Sequence, residues 1–307
     1  GVEVQRAPSS ALYGTSSGGV MQVFTEDGEA PPRLGFSFAA GSYGTQRESL
    51  KLGGASGAVN YLLDGSHFET DGYREHSAAQ RDIVNGKLGV ALDDGNKLTV
   101  VLNSVRIRAQ DPLGLTPAQY ALDPRSVASV ATQFDTRKTV DQTQAGLVYE
   151  RRIDADNDLR LMVYGGQRQT TQFQSIPVAA QIPPTQSGGV IDLARKYAGL
   201  DLRWTTRFDL AGRPFELASG LAYDNLDESR QGYENFIAGP SGPILGVQGR
   251  LRRDGRNNAR NLVPYIQASW QLAEGWTLDG GFRYSTVNID SDDRYIRPGN
   301  GDDSGSA

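Results

Sequence analysis

From Arg33 onward, apolar and polar side chains alternate over runs of about nine residues or more, the period of a strand with two unlike faces. In the first run, 33–40, Leu34, Phe36, Phe38 and Ala40 oppose Gly35, Ser37 and Ala39. Further runs follow at 45–52, 58–68, 81–92, 97–108, 139–152, 158–170, 190–208, 214–227, 259–272 and 276–289. Within 158–170, Leu159, Leu161 and Val163 face one way and Arg160, Tyr164 and Arg168 the other. Within 276–289, Trp276, Leu278, Gly280, Phe282 and Tyr284 oppose Thr277, Asp279, Arg283 and Ser285. The run 58–68 falters at Leu62-Leu63, which predicts a bulge or register shift.

The connections alternate in length. Those at 53–57, 93–96, 154–157, 209–213 and 273–275 are short, and Asp93-Asp94-Gly95-Asn96 is a strong hairpin signal. The loops at 69–77, 110–138, 172–189 and 228–257 are longer and carry most of the prolines; the connection at 41–44 is an exception. Short turns at one end and long loops at the other are the asymmetry of an outer-membrane barrel. A soluble sandwich would hide its apolar face and would not keep polar residues opposite it over strands this long. Trp204, Trp270, Trp276 and Tyr284 fall near strand ends, where a membrane interface favours aromatic rings. The expected fold is therefore all-β: a partial antiparallel transmembrane β-barrel. Its eleven predicted strands are about half of the 22 in a plugged outer-membrane transporter, and an odd set cannot close on itself.

Composition changes this picture little. The 307 residues include 37 glycines, no cysteine and two histidines, with a net charge of −5. Mean hydropathy is −0.46, and no apolar run approaches the ~20 residues of a membrane helix. The charge argues against a nucleic-acid partner. Without cysteine there is neither a disulfide scaffold nor a thiolate metal site. The start at Gly1 suggests a truncated chain. No nucleophile elbow supports a hydrolase around His67 or His76, so the chain does not read as an enzyme. The run Asp154–Asp158 lacks the Gly and Glu that a calcium loop needs at its sixth and twelfth positions, where Leu159 and Gly165 stand. Asp290, Asp292 and Asp293 read as a solvated loop. No metal site or cofactor is expected.

Residues 1–30 follow a different pattern. Val2-Glu3-Val4 and Val20–Phe24 read as short strands around a turn closed by Gly14, with Gly18-Gly19 allowing a sharp path. Pro31-Pro32 separates this unit from the alternating region. The stretch resembles the end of the plug domain of TonB-dependent outer-membrane receptors, VEVxRGPxSxLYGxxxxGGVxNxxT. Arg6, Pro8, Ser10, Leu12, Tyr13, Gly14, Gly18 and Gly19 carry the match; Ala7 replaces the usual Gly and Gln22 the usual Asn. The resemblance implies three regions: the C-terminal part of a plug (1–30), the N-terminal half of a barrel (31–290) and a polar loop or tail (291–307).

It also implies a location in the outer membrane of a Gram-negative bacterium. Function would be active uptake of a ferric siderophore or similar bulky iron chelate, powered through the TonB complex. Membrane lipid and the small ligand would be the other partners. By the same analogy Arg6 would pair with barrel carboxylates. Tyr73, Arg74, His76, Tyr120, Arg125, Phe134, Phe173, Tyr233, Phe236, Arg252 and Arg253 lie in presumed outer loops or at their edges, where rings and guanidinium groups suit an anionic aromatic ligand. The opening unit and Asp71–His76 also look like receptors for the redox cofactor pyrroloquinoline quinone, a rival substrate. A passive porin-like barrel and a secreted β-rich binding protein are the readings from other classes.

Overall fold

The computed structural model describes residues 1–5, 11, 14 and 19–307. β1 (Val2–Gln5) and β2 (Val20–Val23) pair only with each other, Val2 opposite Val23. Then follow β3 (Arg33–Ala40), β4 (Gln46–Ser56), β5 (Val59–Thr70), β6 (Ala79–Asp93) and β7 (Asn96–Gln110). Two short helices, α1 (Pro117–Leu122) and α2 (Ser129–Gln133), precede β8 (Arg137–Arg152), β9 (Asn157–Phe173), β10 (Val190–Leu210) and β11 (Arg213–Tyr233). A small hairpin, β12 (Phe236–Gly239) and β13 (Gly242–Leu245), leads to β14 (Leu251–Ala273), β15 (Trp276–Arg283), β16 (Thr286–Asp293) and β17 (Gly305–Ser306). From β3 onward, all but the small hairpin form one antiparallel sheet of 13 strands, mostly paired with their sequence neighbours. It is curved wall rather than closed barrel, with free edges at its two ends.

The alternation reads directly onto the two faces. Val59, Val90, Leu98, Tyr149, Leu161, Leu202, Leu221 and Pro264 form one continuous cross-strand row on the outer face. Side chains on this face are exposed or half-buried, Phe36 on β3 by 71%. Another row runs Leu34, Leu52, Leu63, Gly86, Leu102, Ala145, Gly165 and Ala198, then turns polar at Asn225 and Arg260. Strand tilt carries each row obliquely out of the apolar band. At the short-turn end, Phe208 and Phe215 pack 4.9 Å apart. Nearby, Trp270 Nε1 donates to the Leu210 carbonyl at 3.3 Å and Trp204 Nε1 to Asn157 Oδ1 at 3.2 Å. These are rings with an apolar body and a wet edge, as an interfacial girdle needs.

Three local differences from the sequence reading have physical causes. No register shift occurs at Leu62-Leu63: Leu63 belongs to the outer face, and Leu62 turns inward over Gly53. The expected eleventh strand is broken into β15 and β16, which pair with opposite halves of β14. The break falls at Pro264, which has no N–H to give the ladder; its carbonyl still accepts from Tyr284 N at 3.1 Å. The long loop expected at 228–257 is strand at both ends. β11 continues to Tyr233 and β14 begins at Leu251. These stretches carry polar groups on both faces. At about 3.3 Å per residue, the 23 residues of β14 span roughly 75 Å. That is far more than an apolar band about 25 Å tall requires, even with tilt.

Candidate functional site

The inner face of the wall is polar and well matched over its lower half. Tyr164, Tyr197 and Tyr265 each stand directly opposite a glycine: Gly199, Gly166 and Gly220. Each ring lies over its glycine, in space that a β-carbon would occupy. Their hydroxyls then reach polar partners. Tyr164 donates to Asp224, Tyr197 to Gln144 Oε1 at 2.7 Å and Tyr265 to Asp201 Oδ2 at 2.8 Å. Charges on this part of the face are paired. Arg160 lies 3.6 Å from Asp201, and Arg207 reaches Asp158 at 2.6 Å and Glu216 at 2.8 Å. A wet, charged lumen explains why these residues interrupt otherwise apolar strands.

At the other end, the long loops hold one another. Arg74 donates to the carbonyls of Ser126, Leu113 and Pro112 at 2.9, 2.6 and 3.2 Å. His76 Nε2 donates to the Thr136 carbonyl at 2.9 Å. Arg125 lies 5.5 Å from the Tyr43 ring, which meets Tyr73 edge to face. The loop after β9 is fastened to the loop after β11 by two fully buried amides. Gln181 Nε2 donates to Asn235 Oδ1 at 2.7 Å, and Asn235 Nδ2 donates to the Gln174 and Ile176 carbonyls at 2.7 and 3.1 Å. Beside them Glu234, 3% exposed, takes two bonds from Arg250 at 3.0 and 2.9 Å and faces Arg252 at 3.6 Å. A buried carboxylate needs such pairing. Arg137 covers the Phe173 ring at 3.5 Å and reaches Asp135 at 2.6 Å.

The N-terminal segment meets the inner wall at two places. Lys87 Nζ binds Asp27 Oδ1 at 2.7 Å and Thr25 Oγ1 at 3.0 Å; Lys97 lies 3.6 Å from Asp27, and Lys51 pairs with Glu26. The hydrogen bond from Lys87 holds the Asp27 carboxyl below the usual carboxylate range. Gly28 packs so closely on the backbone of Gly54 and Tyr61 that no side chain fits. Farther along the wall, Arg283 Nη1 donates to the Ala11 carbonyl at 3.4 Å. A β-carbon on Gly281 would lie 2.6 Å from that of Ala11.

Of the plug-motif residues, Gly14 and Gly19 have positive φ, 80° and 122°. Arg6, Pro8, Ser10, Leu12, Tyr13 and Gly18 lie outside the described residues. The loop residues do not converge on a single point. Arg74, His76 and Arg125 join loop to loop, as does Arg252 through the Gln186 carbonyl at 3.4 Å; Phe134 is buried, and Phe173 ends β9 beneath Arg137, its ladder partner on β8. Tyr233 donates to Gln231 Oε1 at 2.8 Å, and Phe236 opens β12. Tyr73, Tyr120 and Arg253 keep exposed side chains. Sequence reasoning missed Gln181, Glu234 and Asn235, whose letters are ordinary in any polar loop. It also missed Glu26 and Asp27, which read only as the end of a turn.

A family model described as TonB dependent receptor-like, beta-barrel matches residues 84–307. Among solved structures, the ferric citrate transporter FecA in its unliganded form is 20% identical, with a TM-score of 0.77 over 99% of this chain and 45% of that one. The ferric yersiniabactin uptake receptor FyuA from Yersinia pestis is 19% identical, with a TM-score of 0.76 over 100% and 47%. The siderophore receptor PiuA from Acinetobacter baumannii is 12% identical, with a TM-score of 0.78 over 99% and 49%. At such identities the likeness is one of fold. The chain spans about half the length of these proteins.

Proposed function

The chain belongs to the TonB-dependent receptor-like β-barrel family, and from that premise we propose that it is part of an outer-membrane receptor for active uptake of a ferric siderophore or similar bulky iron chelate. The observation that carries this reading is the N-terminal segment held against the inner wall of a half-barrel through Asp27, Gly28 and Ala11. A passive pore needs no such segment. A secreted binding protein would not leave the row from Val59 to Pro264 facing outward.

On this reading the short turns face the periplasm and the interlocked loops face the medium. The apolar rows meet lipid of the Gram-negative outer membrane. Residues 1–30 are the end of a plug on which the TonB complex acts from the periplasmic side. Gly14 and Gly19, at positive φ, let that piece turn sharply beside the barrel. Tyr120 and Arg253 offer exposed side chains to ligand at the mouth, as does the open side of the Tyr73 ring, while Arg74, His76, Arg125, Phe173, Tyr233, Phe236 and Arg252 shape the surroundings. Deleting the whole gene tests the reading. Growth on at least one ferric chelate under iron limitation should fall and return on complementation. Unchanged uptake of every iron chelate tried would reject the iron reading, and unchanged uptake of pyrroloquinoline quinone as well would reject transport.

A further inference from the structure

The upper inner wall breaks the charge balance kept below it. On β9, β10, β11 and β14 the inward positions include Arg168, Arg195, Arg230 and Arg253, one from each of four successive strands. Arg168 and Arg195 are directly opposite in the ladder, an arrangement that like charges disfavour. Arg230 lies one inward position beyond Glu228, the residue opposite Arg195. Arg253 lies one inward position beyond Gly255, the residue opposite Arg230. Arg230 is close enough to Arg195 and Arg253 to feel both charges.

Arg195 has a carboxylate partner, Glu228, at 2.6 Å. The guanidinium groups of Arg168, Arg230 and Arg253 make no ion pair or hydrogen bond with any described residue, although Arg230 lies near enough to Glu228 to feel its charge. Across β16, Asp293 shares their face, but it is turned to the backbone N–H of Tyr295 at 2.9 Å. By contrast, Arg160 and Arg207 lower down have their carboxylates in place. Glu228 is engaged by Arg195, and Asp293 and Asp303 line the cleft beside Arg253. The four guanidinium groups are thus left in excess at Arg168 and Arg230, and the surface opens to the lumen beside the loop at Ser187. Three strand spacings spread it over roughly 14 Å, too wide for one phosphate. It suits a ligand with several separate acidic groups, each read by the planar fork of an arginine.

We propose that Arg168, Arg195, Arg230 and Arg253 form an anion site on the lumen wall for a small ligand bearing several carboxylates, such as a carboxylate-type ferric chelate. The assignment rests on the receptor reading above and names its substrate class. It is tested on the full-length receptor in detergent by tryptophan fluorescence titration. The probes are ferric citrate, a ferric catecholate chelate and pyrroloquinoline quinone. The variants are the double substitution Arg168→Gln, Arg230→Gln and, on the outer face, Arg256→Gln as control. Heat-modifiable mobility verifies that each is folded.

Ferric citrate should bind the wild type, and the double variant should weaken it by at least about tenfold. The control should bind as the wild type does, and added salt should weaken wild-type binding more than the variant's. Equal affinity in wild type and double variant overturns the site. Binding of the catecholate chelate alone also overturns it, but leaves the receptor reading standing. Binding of the quinone alone, lost in the double variant, supports the site and overturns the iron reading.

Discussion

Asp27 and Gly281 show how single residues set the position of the N-terminal segment. The folded Asp27 carboxyl titrates below its ordinary 3.8 because Lys87 bonds to its charged form. Its stabilising contribution is therefore complete above pH 3.8 and fades as the pH falls through the lowered value. Protection factors at residues 25–28, which divide out the intrinsic pH dependence of exchange, should fall in that acid range, and Lys87→Met should lower them at neutral pH. Gly281 acts sterically. In Gly281→Val the new β-carbon would meet Ala11 at 2.6 Å and the Ile266 carbonyl at 3.0 Å. Overpacking of this kind costs about 1–3 kcal/mol, and the segment should yield before the sheet does. The expected result is faster exchange at residue 11 with the strands still protected. Neither residue announces itself in the sequence: Asp27 sits in an ordinary Glu-Asp-Gly turn, and Gly281 follows another glycine.

At the scale of elements, the period-2 pattern was legible wherever a strand has one apolar and one polar face. Leu159, Leu161 and Val163 lie outside, and Arg160, Tyr164 and Arg168 inside, as the alternation predicts. It was illegible where both faces are wet. Glu228–Gly232 and Arg253–Asn257 read as loop but form a regular ladder, because β pairing is satisfied by backbone bonds that leave no mark on composition. The broken strand at Tyr284 depends on a partner 20 residues away, Pro264, and so escapes any local window. The lipid-facing role of β10 has a direct test. Leu202 is flanked by Leu161 and Leu221. Leu202→Arg should cost about 2–4 kcal/mol if the site is near the bilayer midplane. Reversible folding of the full-length protein into lipid vesicles would measure it, and Thr205→Arg on the inner face should cost much less.

For the molecule as a whole, the sheet is open at β3 and at its β15–β17 side. A free edge offers unpaired N–H and C=O groups to another chain. Expressed alone, residues 1–307 should self-associate, seen as a concentration-dependent size in detergent. Pairing both edges with added strands should restore a discrete species. Class and through-sheet topology could be read from the chain because loop length and facial alternation are both sequential properties. The cap could not. Gln181 and Asn235, or Arg74 and Leu113, are brought together only after the strands have set the distances between their loops.

The contacts of Lys87 and Arg283 have a mechanical consequence. A pull on the N-terminal segment toward the short-turn end would load these few side-chain bonds in sequence, peeling Ala11 and Asp27 from the wall individually. The strands of the wall would carry the same load as shear, shared over ladders such as the one from Val190 to Leu210. Peeling yields at low force and shear at high force. The described chain thus pairs a soft latch with a stiff frame: a small force would free the N-terminal segment while the strands of the sheet keep their pairing.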